Sequence, residues 1–114
     1  MTTSDLTTAA ACCVPLTDAP LTEDAAQQMA QVFKALGDPA RLRLLSLIAA
    51  QPAGEACNCE LVAPLGLSQP TVSHHLKVLY DVGLLGRDRR GQWIYYRIRP
   101  EQLAAVQAAL APAA

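Results

Sequence analysis

Apolar positions recur at helical spacing in several stretches of the chain and alternate in one. From Leu67 to Leu85, LSQPTVSHHLKVLYDVGLL, the residues Val72, Leu76 and Leu79 fall on one face of a helix, while Gln69, Ser73 and Lys77 line another. Ser68 is a good N-cap, and Pro70 sits in the first turn, where its missing N–H costs nothing. A short helix over Glu60 to Pro64 and the turn Leu65-Gly66-Leu67 precede it. Together they spell a helix-turn-helix, in which the second helix enters the DNA major groove and its polar side chains meet bases and phosphates. The stretch taken alone also suits an ordinary amphipathic surface helix.

Upstream, Thr22 caps a helix running to about Leu36, with Ala25, Met29, Val32, Phe33 and Leu36 as its stripe and Gly37 as its stop. Asp38 as N-cap and Pro39 at the first helical position open the next helix. There Leu42, Leu45 and Ile48 or Ala49 are expected inward, and Arg41 and Arg43 on exposed positions. Gln51 to Glu55 reads as a loop. After Gly83, Asp88 to Gly91 reads as a hairpin turn between short strands, with Trp93, Tyr95 and Arg97 on one face and Ile94, Tyr96 and Ile98 on the other. Arg87, Arg89 and Arg90 crowd the tip of this hairpin. Directly after a helix-turn-helix it reads as a wing that lays guanidinium groups along phosphates or into the minor groove, although a solvated basic hairpin has the same pattern.

A last helix, Glu101 to Leu110, carries Leu103, Val106 and Leu110 on one side and is too alanine-rich to form a core alone. With the first helix it is the candidate for subunit pairing, which would set two recognition helices about one DNA turn apart. The expected fold is therefore mainly α: a winged helix-turn-helix with a C-terminal two-stranded β wing, homodimeric. Residues 1–20 are expected to be a flexible arm, and residues 21–111 the DNA-binding and dimerisation domain.

Charge sharpens this picture. The formal net charge of −1 looks poor for a nucleic-acid binder, but residues 1–67 carry three basic groups against seven acidic ones. Residues 68–99 carry six basic groups against Asp81 and Asp88. Phosphate attraction comes from such local clusters, and a dimer doubles the basic face. The apolar content of 52% argues against wholesale disorder, though much of it is alanine. With 114 residues and no apolar run of membrane-spanning length, one domain is expected, and the start MTTSDLTTAAACC lacks the look of a secretory signal. A cytoplasmic protein follows, whose four cysteines suit metal or redox work better than disulfides.

Those cysteines form two pairs: Cys12 and Cys13 in the arm, Cys57 and Cys59 where the short helix begins. Residues two apart on an ideal helix do not face each other, so Cys57 must precede the first turn and Cys59 lie within it if both are to serve one site. Amides at a helix N-terminus would also favour their thiolates. From Cys13 to Asp24 the chain can span up to about 35 Å, enough for the arm to reach the short helix of its own or a partner chain. All-sulfur ligation selects soft, thiophilic ions. Small buried cysteines with an incidental arm pair, or a redox switch, are the alternatives, although both spacings make poor disulfides. His74 and His75 sit in the recognition helix and read as DNA-facing or solvated before they read as ligands. No glycine-rich phosphate loop, carboxylate pair or nucleophile–base arrangement points to an enzyme.

The runs FKALGDPARLRLLSLI, CNCELVAPLGLSQPTVSHHLKVLYDVGLL and GRDRRGQWIYYRI, in that order, closely resemble the ArsR/SmtB family of bacterial metal-responsive repressors over about residues 30–110. The resemblance implies a winged helix-turn-helix homodimer that represses its own operon and leaves operator DNA when metal binds. Carried across, Ser68, Gln69, Thr71, Ser73 and His74 take the polar recognition-helix positions, joined by Lys77, and Arg87, Arg89 and Arg90 take those of the wing. One type of arsenic sensor in the family uses CxCxxC on the short helix; Cys57 and Cys59 match its first two cysteines, but Val62 stands at the third. Cys12 or Cys13 is then expected to complete the set. The vicinal arm pair looks like that of actinobacterial arsenic repressors, which points to As(III) or Sb(III) as inducer. The four-cysteine total also resembles the Cd(II)/Pb(II) sensors, whose wider arm spacing is missing here. The acidic and histidine ligands of the family's zinc sensors are absent from PEQLAAVQAAL.

Overall fold

Local chemistry sets the element boundaries along the chain. The computed structural model describes residues 13–112, which belong to two compact units. The larger unit, Ala35–Arg99, begins where Asp38, in extended conformation, accepts hydrogen bonds from the Ala40 and Arg41 amides at 2.9 and 3.2 Å. That cap, with Pro39 behind it, starts the helix Pro39–Ala50. A strand β1 (Glu55–Cys57) follows, then a helix Asn58–Leu65 that ends on Gly66 in the left-handed region (φ 69°). Ser68 caps the recognition helix Gln69–Asp81, and the hairpin β2 (Leu85–Arg90) and β3 (Trp93–Ile98) completes the unit. In chain order the helices are numbered α1 (Glu23–Leu36), α2 (Pro39–Ala50), α3 (Asn58–Leu65), α4 (Gln69–Asp81) and α5 (Pro100–Leu110).

The architecture is the mainly α winged helix-turn-helix that the pattern predicts, with one correction. The sheet has three strands, not two, in the order β1-β3-β2, all antiparallel. Glu55, Ala56 and Cys57, the first of them at the end of the expected loop, pair with Arg97, Tyr96 and Tyr95. A three-residue strand is too short to show alternation, and its partner lies about forty residues on, so only tertiary pairing reveals it. The hairpin turn is also tighter than expected. Arg90 pairs with Trp93 across Gly91 and Gln92, and positive φ at Gly91 (65°) suits the first position of a two-residue type II′ turn.

The core of this unit is built from Leu44 and Ile48 of α2, Leu61 of α3, Val72, Leu76 and Leu79 of α4, Leu84 just before the hairpin, and Leu85 and Tyr96 of the hairpin, all buried. The inward triplet of α4 is the expected one. In α2 the helical phase differs: Leu44 points inward, Leu42 is 52% exposed, and Arg41 is half-buried rather than outward. Leu44, Leu45 and Ile48 set the stripe, and Arg41, three and four residues before two of them, falls on its edge.

The smaller unit holds residues 13–34 and the C-terminal segment from Pro100. The Thr22 hydroxyl accepts from the Ala25 amide at 3.1 Å at the start of α1. Met29 and Val32 of α1 and Gln102, Val106 and Ala109 of α5 are buried. Leu103 and Leu110, seven residues apart on one face of α5, are 38% and 51% exposed. The Leu16 amide donates to the Ala109 carbonyl at 3.0 Å, which ties the chain just after Cys13 to the end of α5.

Burial separates two leucines that look alike in sequence. Leu76→Ala should lower the unfolding free energy by about 2–5 kcal/mol, and Leu42→Ala by less than about 0.5 kcal/mol. Urea denaturation of the two variants checks this, and equal losses would contradict the inward phase of α2.

Candidate functional site

The strand β1 ends and the helix α3 begins at one residue. Cys57 is 1% exposed, closes the register against Tyr95, and is also the N-cap of α3. Its amide donates to Glu60 Oε1 at 2.8 Å and its sulfur accepts from the Cys59 amide at 3.3 Å, a capping box with sulfur in the usual place of a hydroxyl. Cys57 thus precedes the first turn and Cys59 lies inside it. Their Cα atoms are 5.3 Å apart and the two sulfurs are joined directly. Cys59, unlike Cys57, is exposed. Among the described residues, no group of three or more His, Cys, Asp and Glu side chains is gathered as a metal site. Cys13 is half-buried at the start of the described residues, and Cys12 lies outside them.

The recognition helix presents Gln69, Thr71, His74 and Lys77 as exposed side chains. Ser68 is committed to the cap: its Oγ accepts from the Thr71 amide at 3.4 Å and donates to the Thr71 hydroxyl at 2.9 Å. Ser73 is half-buried, and its Oγ accepts from Asn58 Nδ2 at 2.9 Å. His75 faces inward enough for its Nδ1 to meet Arg41 Nη1 at 3.1 Å, while Arg41 Nε donates to the Ala35 carbonyl at 2.6 Å. With a guanidinium as donor, Nδ1 of His75 is the acceptor and any ring proton sits on Nε2. Burial of the nearby Asp38 carboxyl works against its charge, but the Arg41 and Ala40 amides outweigh this and hold it below the ordinary carboxylate value.

Most cations of this face already have partners in the chain. Lys77 Nζ meets Asp81 at 2.8 Å. The Arg87 guanidinium lies 3.9 Å from the centre of the Tyr80 ring, which fastens β2 to the last turn of α4. Arg90 grips both Glu55 of β1 and Asp88 of its own strand, and stacks 4.6 Å from the Tyr95 ring. Arg97 reaches the other oxygen of Asp88 at 3.2 Å by lying across Gly86, where a Cβ would stand only 3.2 Å from its guanidinium carbon. Arg89 is exposed, with Nε donating to the Gly91 carbonyl at 3.2 Å. The sequence pattern did not single out Glu55, Asn58, Tyr80 or the inward role of Arg41. A carboxylate at the edge of a loop and an asparagine between two cysteines carry no periodic signal.

Comparison with known proteins agrees with this geometry. The model of the "Bacterial regulatory protein, arsR family" matches residues 38–86. The chain is 51% identical over 70 residues to the arsenic resistance transcriptional regulator ArsR1 of Pseudomonas putida, a match covering 61% of this chain and 53% of that protein. The corresponding share of ArsR2 of the same organism is 59%, so the chain spans little more than half of these relatives. Among solved structures, the AntR antimony-specific transcriptional repressor superposes with a TM-score of 0.63 at 35% identity, over 83% of this chain and 86% of that one. A homodimeric winged helix-turn-helix DNA-binding domain from Mycobacterium bovis, a possible ArsR-family regulator, superposes with a TM-score of 0.59 at 32% identity, over 79% and 89%. These relatives come from varied sources and single out no lineage.

The Arg90 clamp gives a pH signature. Its hydrogen bonds hold the Glu55 carboxyl below its ordinary value of 4.5. A depressed folded-state value means the clamp's stabilisation is complete above pH 4.5 and is lost as the pH falls through the lowered value. The melting temperature of Glu55→Gln should therefore fall below that of the unaltered protein at neutral pH and converge with it in acid. Parallel melting curves at all pH values would show that the clamp contributes nothing.

Proposed function

This chain belongs to the arsR family of bacterial regulatory proteins, and we propose that it is an operator-binding repressor released from DNA by As(III) or Sb(III) bound to cysteine sulfur. It is a transcription regulator and not an enzyme. The observation that carries the inducer reading is the convergence of Cys57 and Cys59 at the first turn of α3, the helix just before the recognition helix. Trivalent arsenic takes three sulfurs, and the donor set here is soft and uncharged by carboxylate. The third sulfur would come from Cys12 or Cys13 of the arm, from the same chain or its partner, so the candidate ligands are Cys57 and Cys59 with either Cys12 or Cys13. Relatives named for arsenic resistance and for antimony specificity support this choice over Cd(II) or Pb(II). The cysteine arrangement is most like that of actinobacterial arsenic sensors.

DNA is read by Gln69, Thr71, His74 and Lys77 of α4, with Ser68 and Ser73 at its edges, and by Arg87, Arg89 and Arg90 of the wing. The working unit is a homodimer, acting in the cytoplasm, with the exposed Leu103 and Leu110 face of α5 as part of its interface. The M. bovis domain described as homodimeric supports that assembly. No helix among the described residues is long and apolar enough to cross a membrane. A thiol-redox repressor is the second reading, favoured by the direct pairing of the Cys57 and Cys59 sulfurs.

The test is a release titration of the reduced protein from a duplex carrying the DNA upstream of its own gene. Arsenite or antimonite should release the unaltered protein; Cys57→Ser, Cys59→Ser and the Cys12→Ser/Cys13→Ser double variant should each bind DNA and resist release. Normal release of the arm double variant would remove the arm from the site, and release by oxidant without arsenite would favour the redox reading. A separate measurement concerns the wing. Arg89→Ala should weaken DNA binding and reduce the slope of log affinity against log salt by about 1, as expected for one lost phosphate contact.

A further inference from the structure

Two histidines stand side by side on the recognition helix, and the fold treats them differently. His74 is exposed, whereas His75, three residues after Val72 and four before Leu79, stands at the edge of the buried stripe and is half-buried. Its Nδ1 meets Arg41 Nη1 of α2 at 3.1 Å, and Arg41 is held in turn by Nε donating to the Ala35 carbonyl at 2.6 Å. A guanidinium is always charged and only donates, so this link needs a lone pair on Nδ1. A neutral imidazole has one. An imidazolium carries N–H on both ring nitrogens, so protonation removes the acceptor and sets two cations at contact distance. Asp38 lies within electrostatic reach of both, but its Oδ1 is taken by the Ala40 and Arg41 amides. Its charge softens the repulsion without restoring the lost acceptor. The other charged groups near α4 are engaged elsewhere: Arg43 of α2 at the Pro64 carbonyl, Glu60 of α3 at the Cys57 amide, Arg87 of β2 on the Tyr80 ring. Farther along the ribbon, Asp88 and Arg90 pair with each other and Arg89 meets the Gly91 carbonyl; on α4 itself Lys77 pairs with Asp81.

We propose that His75 is a positioning residue and not a DNA reader: while neutral it anchors the recognition helix to Arg41 of α2, and its protonation frees that helix and weakens the grip on DNA in mild acid. The inference rests on the proposed DNA-reading role of α4 and adds a second input, the proton, that involves no cysteine. Imidazole is the side chain whose ordinary charge change falls between about pH 5 and 8, so the step lies close to neutrality. The sign follows from which form makes the link. The neutral form holds the helix, so affinity is highest at high pH and falls as the pH falls. Linkage makes the effect reciprocal: DNA that holds α4 in place opposes the uptake of a proton at His75. His74 works in the opposite direction. Its ring lies 5.9 Å from that of His75 but faces outward, where a positive charge adds to phosphate attraction. Two adjacent imidazoles thus pull DNA affinity in opposite directions, and only a variant of each separates them.

The experiment measures, by fluorescence anisotropy at constant ionic strength, the affinity of the reduced, metal-free, full-length protein for a duplex carrying the DNA upstream of its own gene. The pH runs from about 8 down to about 5.5, across the imidazole range. The unaltered chain is compared with His75→Asn, whose Oδ1 offers Arg41 an acceptor that does not titrate, and with His75→Leu, which offers none. At the upper pH the His75→Asn variant should bind like the unaltered chain and His75→Leu should bind about two- to tenfold more weakly, as one lost hydrogen bond implies. Towards acid, the affinity of the unaltered chain relative to His75→Asn should fall to the level of His75→Leu. The same fall should persist when every chain also carries His74→Asn. A ratio of the unaltered chain to His75→Asn that stays constant with pH overturns the proposal, and so does a fall that disappears with His74→Asn, because the titration then belongs to His74. Equal affinities of His75→Asn and His75→Leu at the upper pH overturn it as well, since the acceptor then positions nothing. Should His75→Leu not fold, the pH dependence of the ratio to His75→Asn decides alone. An unaltered protein that binds the duplex at no pH refutes the DNA-reading role itself, and the anchor falls with it; one that binds with a constant ratio refutes the anchor only.

Discussion

Cys57 must satisfy two geometries with one backbone. As the last residue of β1 it is held in register against Tyr95, and as N-cap of α3 it supplies the extended conformation from which that helix can start. The two demands agree, since a cap residue and a strand residue occupy the same region of backbone space. The junction is stiff for that reason. A ligand that moves the Cys57 sulfur cannot displace α3 alone; it acts on the inner strand of the wing as well. The capping box with Glu60 and the burial of Leu61 just beyond fix the other side of the hinge.

The same economy governs the basic face. Arg87 on Tyr80, Arg90 between Glu55 and Asp88, Arg97 on Asp88 and Lys77 on Asp81 shape the wing and the end of α4 before any phosphate arrives. Exposed pairs of this kind add little to stability and are easily exchanged, because their charges stay largely hydrated. They hold long side chains in a defined fan, which would lower the entropy lost if this face binds DNA as proposed. The Glu55 link has a further consequence: it connects the strand that carries Cys57 to a wing arginine.

The helices were legible because their ends are written in short-range chemistry. Thr22, Asp38 and Ser68 act as caps where the pattern places them, and the apolar triplet Val72, Leu76 and Leu79 is fully buried. What escaped was what depends on partners distant in the chain. The strand Glu55–Cys57 exists only because Tyr95 to Arg97 complete its hydrogen bonds. Arg41 turns inward because the Ala35 carbonyl and His75 await it, and Leu42 is left outside as a result. The cysteine spacing was legible as chemistry, and its usefulness depended on a cap position that spacing alone does not specify. Ser73 was legible as polar and outward-facing, but not as the partner of Asn58.

Magnitudes decide how the signal must be divided. One intramolecular hydrogen bond contributes a net of about 0.5–1.5 kcal/mol, about a two- to twelvefold change in an equilibrium, so no single bond at this junction would suffice for the proposed release. Clearing an operator by a hundredfold or more needs roughly 3–5 kcal/mol, since each 1.4 kcal/mol is a factor of ten. The proposed release would therefore need more than one path out of Cys57. The pairing of Cys57 with Tyr95 and the Glu55–Arg90 clamp supply one, leading to the wing. Under the proposed function, inducer binding at Cys57 would act on the wing as well as on α3.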